Sequence, residues 1–205
     1  MSKGKFIVFE GIDGCGKSTQ VWKFAQYLAG LSKYHHVLVT REPYKSREIR
    51  EILKTTESPE TRAEKLTELF VKDRADHVQE SILPNLEKGT HVISDRYKLS
   101  TMVYQSVQGM PMDKLIELHH GFPIPDLIFI VDLSAEVAAE RMKSEGRENK
   151  EHKFESSLDF QKKLRQRYLE MREHFPNEKI IIIDGNTTVS AIHSKIVEEY
   201  ENLKV

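Results

Sequence analysis

A phosphate-binding loop constrains this chain more than any other stretch. Gly11, Ile12, Asp13, Gly14, Cys15, Gly16, Lys17 and Ser18 follow the apolar run Phe6–Phe9 and match the pattern G-x-x-x-x-G-K-[ST] at every fixed position. A buried strand ends there, and the backbone must turn tightly around an anion with successive N–H groups pointing inward. Gly11, Gly14 and Gly16 permit the dihedral angles and the close approach this needs. The helix that follows, about Lys17–Leu31 and with Thr19 in its first turn, aims its partly positive N-terminus at the same phosphates. In such a loop the lysine, here Lys17, reaches the terminal phosphates and the Ser18 hydroxyl holds a magnesium ion.

Short β-branched apolar runs recur at Lys5–Phe9, His36–Thr40, His91–Ser94, Asp126–Asp132 and Lys179–Ile183, and each reads as a strand buried on both faces. Helical-period segments separate them, so the expected fold is α/β, a three-layer α/β/α sandwich around a mostly parallel five-stranded sheet of the P-loop NTPase type. The first helix carries Val21, Phe24, Ala25, Leu28 and Leu31 at helical spacing. Pro43 terminates pairing of the second strand. A long helix should open with Ser58 as N-cap and Pro59 in its first turn, run through Leu66, Phe70 and Ile82, kink near Pro84 and end at Gly89. Later helices are expected from the Ser134 cap, over about Ser156–His174, and from about Thr188. A chain of 205 residues suits one domain, residues 1–205. The polar, charge-rich stretch after Arg141 cannot pack into a core, so about 142–155 reads as a solvated, mobile lid.

Composition narrows the partners. With 31 basic against 32 acidic residues, nothing asks for nucleic acid or an anionic membrane. No signal-peptide apolar region fits before Glu10, the longest apolar run, Leu127–Val131, is too short to cross a bilayer, and a lone cysteine suits a reducing cytoplasm. The P-loop alone leaves GTPases, ATPases and small-molecule kinases open. Asn149-Lys150-Glu151-His152 is the nearest string to a guanine-reading Asn-Lys-x-Asp and lacks the aspartate. A basic lid late in the chain points to phosphoryl transfer between two small nucleotides, where water must be kept out.

Over nearly its whole length the chain resembles thymidylate kinases. The resemblance rests on Phe9-Glu10-Gly11 through Lys17-Ser18-Thr19-Gln20, on Thr40-Arg41-Glu42-Pro43, on Asp95-Arg96-Tyr97 followed by Ser100 and Tyr104-Gln105, and on Pro125-Asp126-Leu127 followed by Asp132. It implies ATP-dependent phosphorylation of dTMP to dTDP with Mg²⁺, by a cytoplasmic homodimer packed through helices. Asp13 then engages the acceptor's 3′-hydroxyl, and Arg41 and Arg96 clamp its phosphate. Phe70 stacks on thymine and Arg74 donates to a base carbonyl. Tyr104 sits against the sugar, Ser100 and Gln105 contact the base, Asp95 joins Ser18 around magnesium, and Arg141 stacks on adenine. By residue type alone, Phe70 better suits a core aromatic and Arg74 a solvated cation, while Arg41 and Arg96 suit surface ion pairs.

Two departures from the family pattern stand out. Some members carry an arginine directly after the P-loop aspartate, where this chain has Gly14, so the cation over the transferring group falls to the lid: Arg147 first, then Lys153. Tyr44-Lys45 replaces a common Gly-Gly, which predicts a narrowed or reshaped acceptor entrance. Cys15, beside Lys17 and a helix N-terminus, sits where a thiolate would be favoured, although an inert small residue packed in the loop is the better reading. A broader nucleoside monophosphate kinase that also takes dUMP, or a P-loop ATPase or switch acting on a macromolecule, are the alternative functions.

Overall fold

The computed structural model describes residues 3–54, 62–146 and 157–203. Among these, β1 (Phe6–Glu10), β2 (Val37–Arg41), β3 (His91–Asp95), β4 (Leu127–Asp132) and β5 (Ile180–Asp184) form one sheet in the order β2-β3-β1-β4-β5, parallel throughout. Each strand lies within one or two residues of its expected place.

Side-chain alternation along β1 explains the layers. Phe6 and Val8 enter one core with Met102 and Val103 of α5 (Lys98–Val107) and Leu164 and Tyr168 of α8 (Leu158–His174). Ile7 and Phe9 enter the other, with Val21, Phe24 and Leu28 of α1 (Lys17–Leu31) and Ile192 and Ile196 of α9 (Val189–Glu201). Phe24 is fully buried, with its ring centroid 6.0 Å from that of Phe9 and 5.2 Å from that of Tyr200. These contacts hold the P-loop helix on the sheet.

The helices expected from Ser134 and Thr188 are present. Ser134 accepts from Val137 N at the start of α7 (Ala135–Ser144), and Thr188 accepts from Ala191 N. Ser157, one residue past the expected start of α8, accepts from Phe160 N.

The long helix is interrupted. α3 (Ala63–His77) passes through a π-helical turn, Val78–Ile82, into α4 (Leu83–Glu87). Pro84 has no N–H for the carbonyl four residues back and crowds it, so the backbone widens just ahead of the proline. Its expected start at Ser58 and Pro59 lies outside the described residues, as does most of the lid, including Arg147 and Lys153.

Two short helices carry no expectation from the sequence reading, α2 (Arg47–Lys54) and α6 (Met112–Leu118). The signal for α2 was local: Ser46 caps it through Ile49 N at 3.2 Å, and Ile49, Ile52 and Leu53 share helical spacing. Among the described residues no helix is long and apolar enough to cross a membrane.

Candidate active site

The P-loop and the Asp95-Arg96 turn meet because β1 and β3 are parallel neighbours with Phe9 opposite Asp95. Both strands therefore deliver their following residues to one carboxyl edge, where open α/β sheets bind ligands. Two glycines show how tightly the loop is packed. Gly11 has φ +137°, and a Cβ there would lie 2.7 Å from the Val131 carbonyl oxygen. Gly14 has φ +79°, and its Cβ would lie 2.5 Å from the Ala138 carbonyl oxygen of α7. Backbone blocks any larger residue at Gly14, and Met142 Cγ crowds the same position at 2.9 Å. The N-cap of α1, Gly16, offers no side-chain acceptor, and the first turn holds no acid. Its N–H groups are thus left for an anion. Lys17 is buried and curled onto its own loop, donating to the Ile12 carbonyl at 3.2 Å and to Asp13 Oδ1 at 3.4 Å.

Cys15 does not behave as a poised thiolate. It is fully buried, and burial pushes its thiol up, outweighing the nearby Lys17. Iodoacetamide should therefore leave Cys15 unmodified in the native protein at neutral pH, with full labelling only in denaturant. Stoichiometric native labelling, read by mass spectrometry, would contradict this.

Ser18 Oγ donates to Asp95 Oδ2 at 2.6 Å. The other carboxylate oxygen, Oδ1, is buried with no partner among the described residues. A hydroxyl and an orphaned carboxylate oxygen side by side suit a hard cation that keeps several waters, as Mg²⁺ does. Among the described residues no group of three or more His, Cys, Asp or Glu side chains converges on one point. The remainder of such an ion's shell would have to come from water and phosphates.

Beside the P-loop opens a cavity of about 460 Å³. Asp13, Arg41, Phe70, Arg74, Arg96, Ser100, Tyr104 and Gln105 all line it, so every residue expected around the acceptor meets in one place. Arg96 dominates its floor. Its backbone is in the left-handed region, φ +74°, unusual for a residue with a side chain. Bonds from Arg96 N to the Phe9 carbonyl, 2.9 Å, and from Ser94 Oγ to the Arg96 carbonyl, 2.7 Å, hold it there. The guanidinium donates to Asp13, to Ser100 Oγ at 2.9 Å, to Tyr168 Oη at 3.0 Å and to Tyr104 Oη at 3.3 Å. Burial raises the Asp13 carboxyl, but Arg96 and Lys17 outweigh it and hold that group well below the usual carboxylate range. Arg41 ends β2 and is largely exposed, 3.8 Å from Asp95.

Several placements differ from expectation. Ser100 Oγ accepts from Arg96 Nη1 at 2.9 Å and donates to Glu10 Oε2 at 2.6 Å, so its hydroxyl links the arginine to that carboxylate at the cavity edge. Phe70 faces the cavity and is absent from both cores. Arg74 is neither solvated nor loose: it is fully buried, with Nε 2.9 Å from Glu42 Oε2 and Nη2 2.9 Å from Thr101 Oγ1. The Gln105 side-chain oxygen is buried without a partner among the described residues. Tyr44 and Lys45 turn away from the cavity. Asp73 accepts the backbone N–H groups of Tyr44, Lys45 and Ser46, the Tyr44 ring stacks on His77 at 4.4 Å, and Lys45 pairs with Asp76 and Glu80. Arg141, on α7, donates to the Gly185 carbonyl at 3.1 Å, near Gly16.

Two buried carboxylates take roles that no sequence motif announces. Glu42 ties Arg74 to His77. Glu10 is completely buried and accepts from Tyr97 N at 2.9 Å and from Ser100. Burial pushes its carboxyl up to about 7 despite Ser100 and Arg96. The unfolded chain titrates near 4.5. Between those values the folded protein holds a proton that the unfolded chain has released, so stability declines as pH rises through this window and levels off above it. Glu10→Gln should flatten a decline worth up to about 3 kcal/mol. Urea unfolding at pH 5 and pH 7.5 checks this; equal slopes in variant and parent would refute it.

The family model for thymidylate kinase matches residues 9–196. A thymidylate kinase of Kosmotoga olearia is 40% identical over 206 residues, covering 95% of this chain and 94% of that protein. A thymidylate kinase of Caldicellulosiruptor saccharolyticus is 37% identical, covering 98% of each. A probable thymidylate kinase of Pyrococcus horikoshii is 36% identical, covering 95% of each. The chain belongs to the thymidylate kinase family. Within that family, crowding of Gly14 by the Ala138 carbonyl gives a physical reason why this chain cannot carry the P-loop arginine of some members.

Proposed function

We propose that this chain transfers the terminal phosphoryl group of ATP to dTMP, giving dTDP and ADP. The observation that carries this reading is the direct bond between Arg96, on the cavity floor, and Asp13, inside the P-loop. It makes the cavity and the phosphate loop two halves of one site. Lys17 and the loop N–H groups hold the donor phosphates. Arg96 and Arg41 hold the acceptor phosphate, whose oxygen attacks the terminal phosphorus as ADP leaves. Asp13 orients the acceptor sugar, Tyr104 bounds it, and Phe70, Arg74 and Gln105 face the base. Ser18 and Asp95 would hold Mg²⁺, which neutralises charge on the phosphates when bound. Little covalent work falls to the protein, since positioning and charge neutralisation carry most of this chemistry.

Gly14 leaves no room for a P-loop cation, which supports a basic lid at about 142–155 supplying one, Arg147 first and Lys153 second. Arg141 stacks on adenine in this reading. A homodimer working in the cytoplasm completes it, on the family resemblance and the lone buried cysteine. An acceptor panel of dTMP, dUMP, UMP, CMP and AMP with ATP and Mg²⁺ tests the function. Phosphorylation of dTMP well above the ribonucleotides is expected. Good turnover of UMP or CMP with dTMP untouched would refute it.

A further inference from the structure

Arg74 is held on three sides, and the third holder is unexpected. Glu42 accepts from Nε and Nη2, Thr101 Oγ1 accepts from Nη2, and His119 Nε2 meets Nη1. A guanidinium has five N–H groups. Among the described residues these contacts engage Nε–H, both Nη2 hydrogens and one Nη1 hydrogen, which leaves a single Nη1–H. The histidine's protonation follows from its other contact. His119 Nδ1 lies 2.6 Å from the Leu115 carbonyl, which can only accept, so Nδ1 carries the hydrogen. Burial and the Arg74 charge hold this imidazole neutral, with its pKa lowered to about 3. Nε2 is therefore a bare acceptor aimed at Nη1.

We propose that His119 is a specificity-determining positioning residue, which fixes the Arg74 guanidinium so that its one uncommitted N–H is offered to the acceptor base. The proposal rests on the dTMP reading above. A base with a carbonyl at that point is accepted. Cytosine has an exocyclic amine in place of thymine's carbonyl, so two donors would face each other and one would stay unpaired. Without His119 the Nη1 edge can pivot, and the distinction weakens.

The test compares His119→Leu, which keeps bulk but loses the acceptor, with His119→Gln, whose side-chain oxygen can stand in for Nε2. For His119→Leu, KM for dTMP should rise about 10-fold or more with kcat changed less than about 3-fold, and the dTMP-over-dCMP preference in kcat/KM should fall about 10-fold. His119→Gln should recover most of both. A Leu variant with parental KM and parental preference overturns the proposal. So does a Gln variant as impaired as the Leu variant although it melts at the parental temperature. If the unaltered enzyme shows no preference for dTMP over dCMP, the functional reading itself fails, which separates the two cases. Should His119→Leu not fold, ¹⁵N resonances of His119 in the unaltered protein decide. A neutral Nδ1–H tautomer whose Nε2 signal moves on adding dTMP supports the proposal, and an Nε2–H tautomer refutes it.

Discussion

Arg96→Ala is expected to lower kcat about 10³-fold, as loss of a preorganised cation that holds a reacting phosphate in place does. The fold should survive. The side chain projects into a cavity rather than a core, and alanine can keep the bonds from Arg96 N to the Phe9 carbonyl and from Ser94 to the Arg96 carbonyl. Arg96→Lys should recover little, because a point charge cannot reproduce a fork that engages Asp13, Ser100, Tyr104 and Tyr168 together. The loss also has a pH signature. With Arg96 gone, only Lys17, 3.4 Å away, opposes the burial that raises Asp13, so that carboxyl should titrate higher than in the parent. Single-turnover phosphoryl transfer and circular dichroism check both parts. A variant with near-parental kcat would remove Arg96 from the chemistry.

Glu42→Ala should be the most destabilising single change near the site. It leaves Arg74, which is 1% exposed, as a buried cation without its carboxylate, and it strips His77 of the same partner. Breaking a buried ion pair from one side costs about 3–5 kcal/mol. For a chain this long that is a fall in Tm on the order of 10 °C. Replacing both partners, Glu42→Leu with Arg74→Met, should cost much less, because no charge is stranded. Thermal and urea unfolding of the two variants and the parent measures the contrast. If Glu42→Ala melted within about 2 °C of the parent, the network would contribute little to stability.

These two residues show what was legible beforehand and what was not. The P-loop, α1 and the strands were readable because their signals are contiguous: a fixed glycine spacing, a 3.6-residue period, short apolar runs. Arg96 was readable through its motif after β3. Its supporting shell was not, since Glu10 and Tyr168 are 158 positions apart and meet only when β1 and α8 pack together. Ser100 shows the same limit. Its motif placed it near the acceptor, but only the rotation of α5 decides that its hydroxyl turns under Arg96 toward Glu10. α2 was missed although Ser46 and the Ile49, Ile52, Leu53 spacing announced it, and with it went Arg50 and Leu53 on the cavity wall. Tyr44 and Lys45, expected to narrow or reshape the acceptor entrance, do not line the cavity, and the reason is physical. Asp73 gathers three backbone N–H groups of that turn, the Tyr44 ring stacks on buried His77, and Lys45 pairs with Asp76 and Glu80.

A bisubstrate compound tests most directly whether the P-loop and the cavity form one two-nucleotide site. Adenosine and thymidine joined 5′-to-5′ through five phosphates should bind one per chain by calorimetry, far more tightly than ATP or dTMP alone, and Arg96→Ala should abolish that advantage. Binding no tighter than ATP alone, and unchanged in Arg96→Ala, would contradict it.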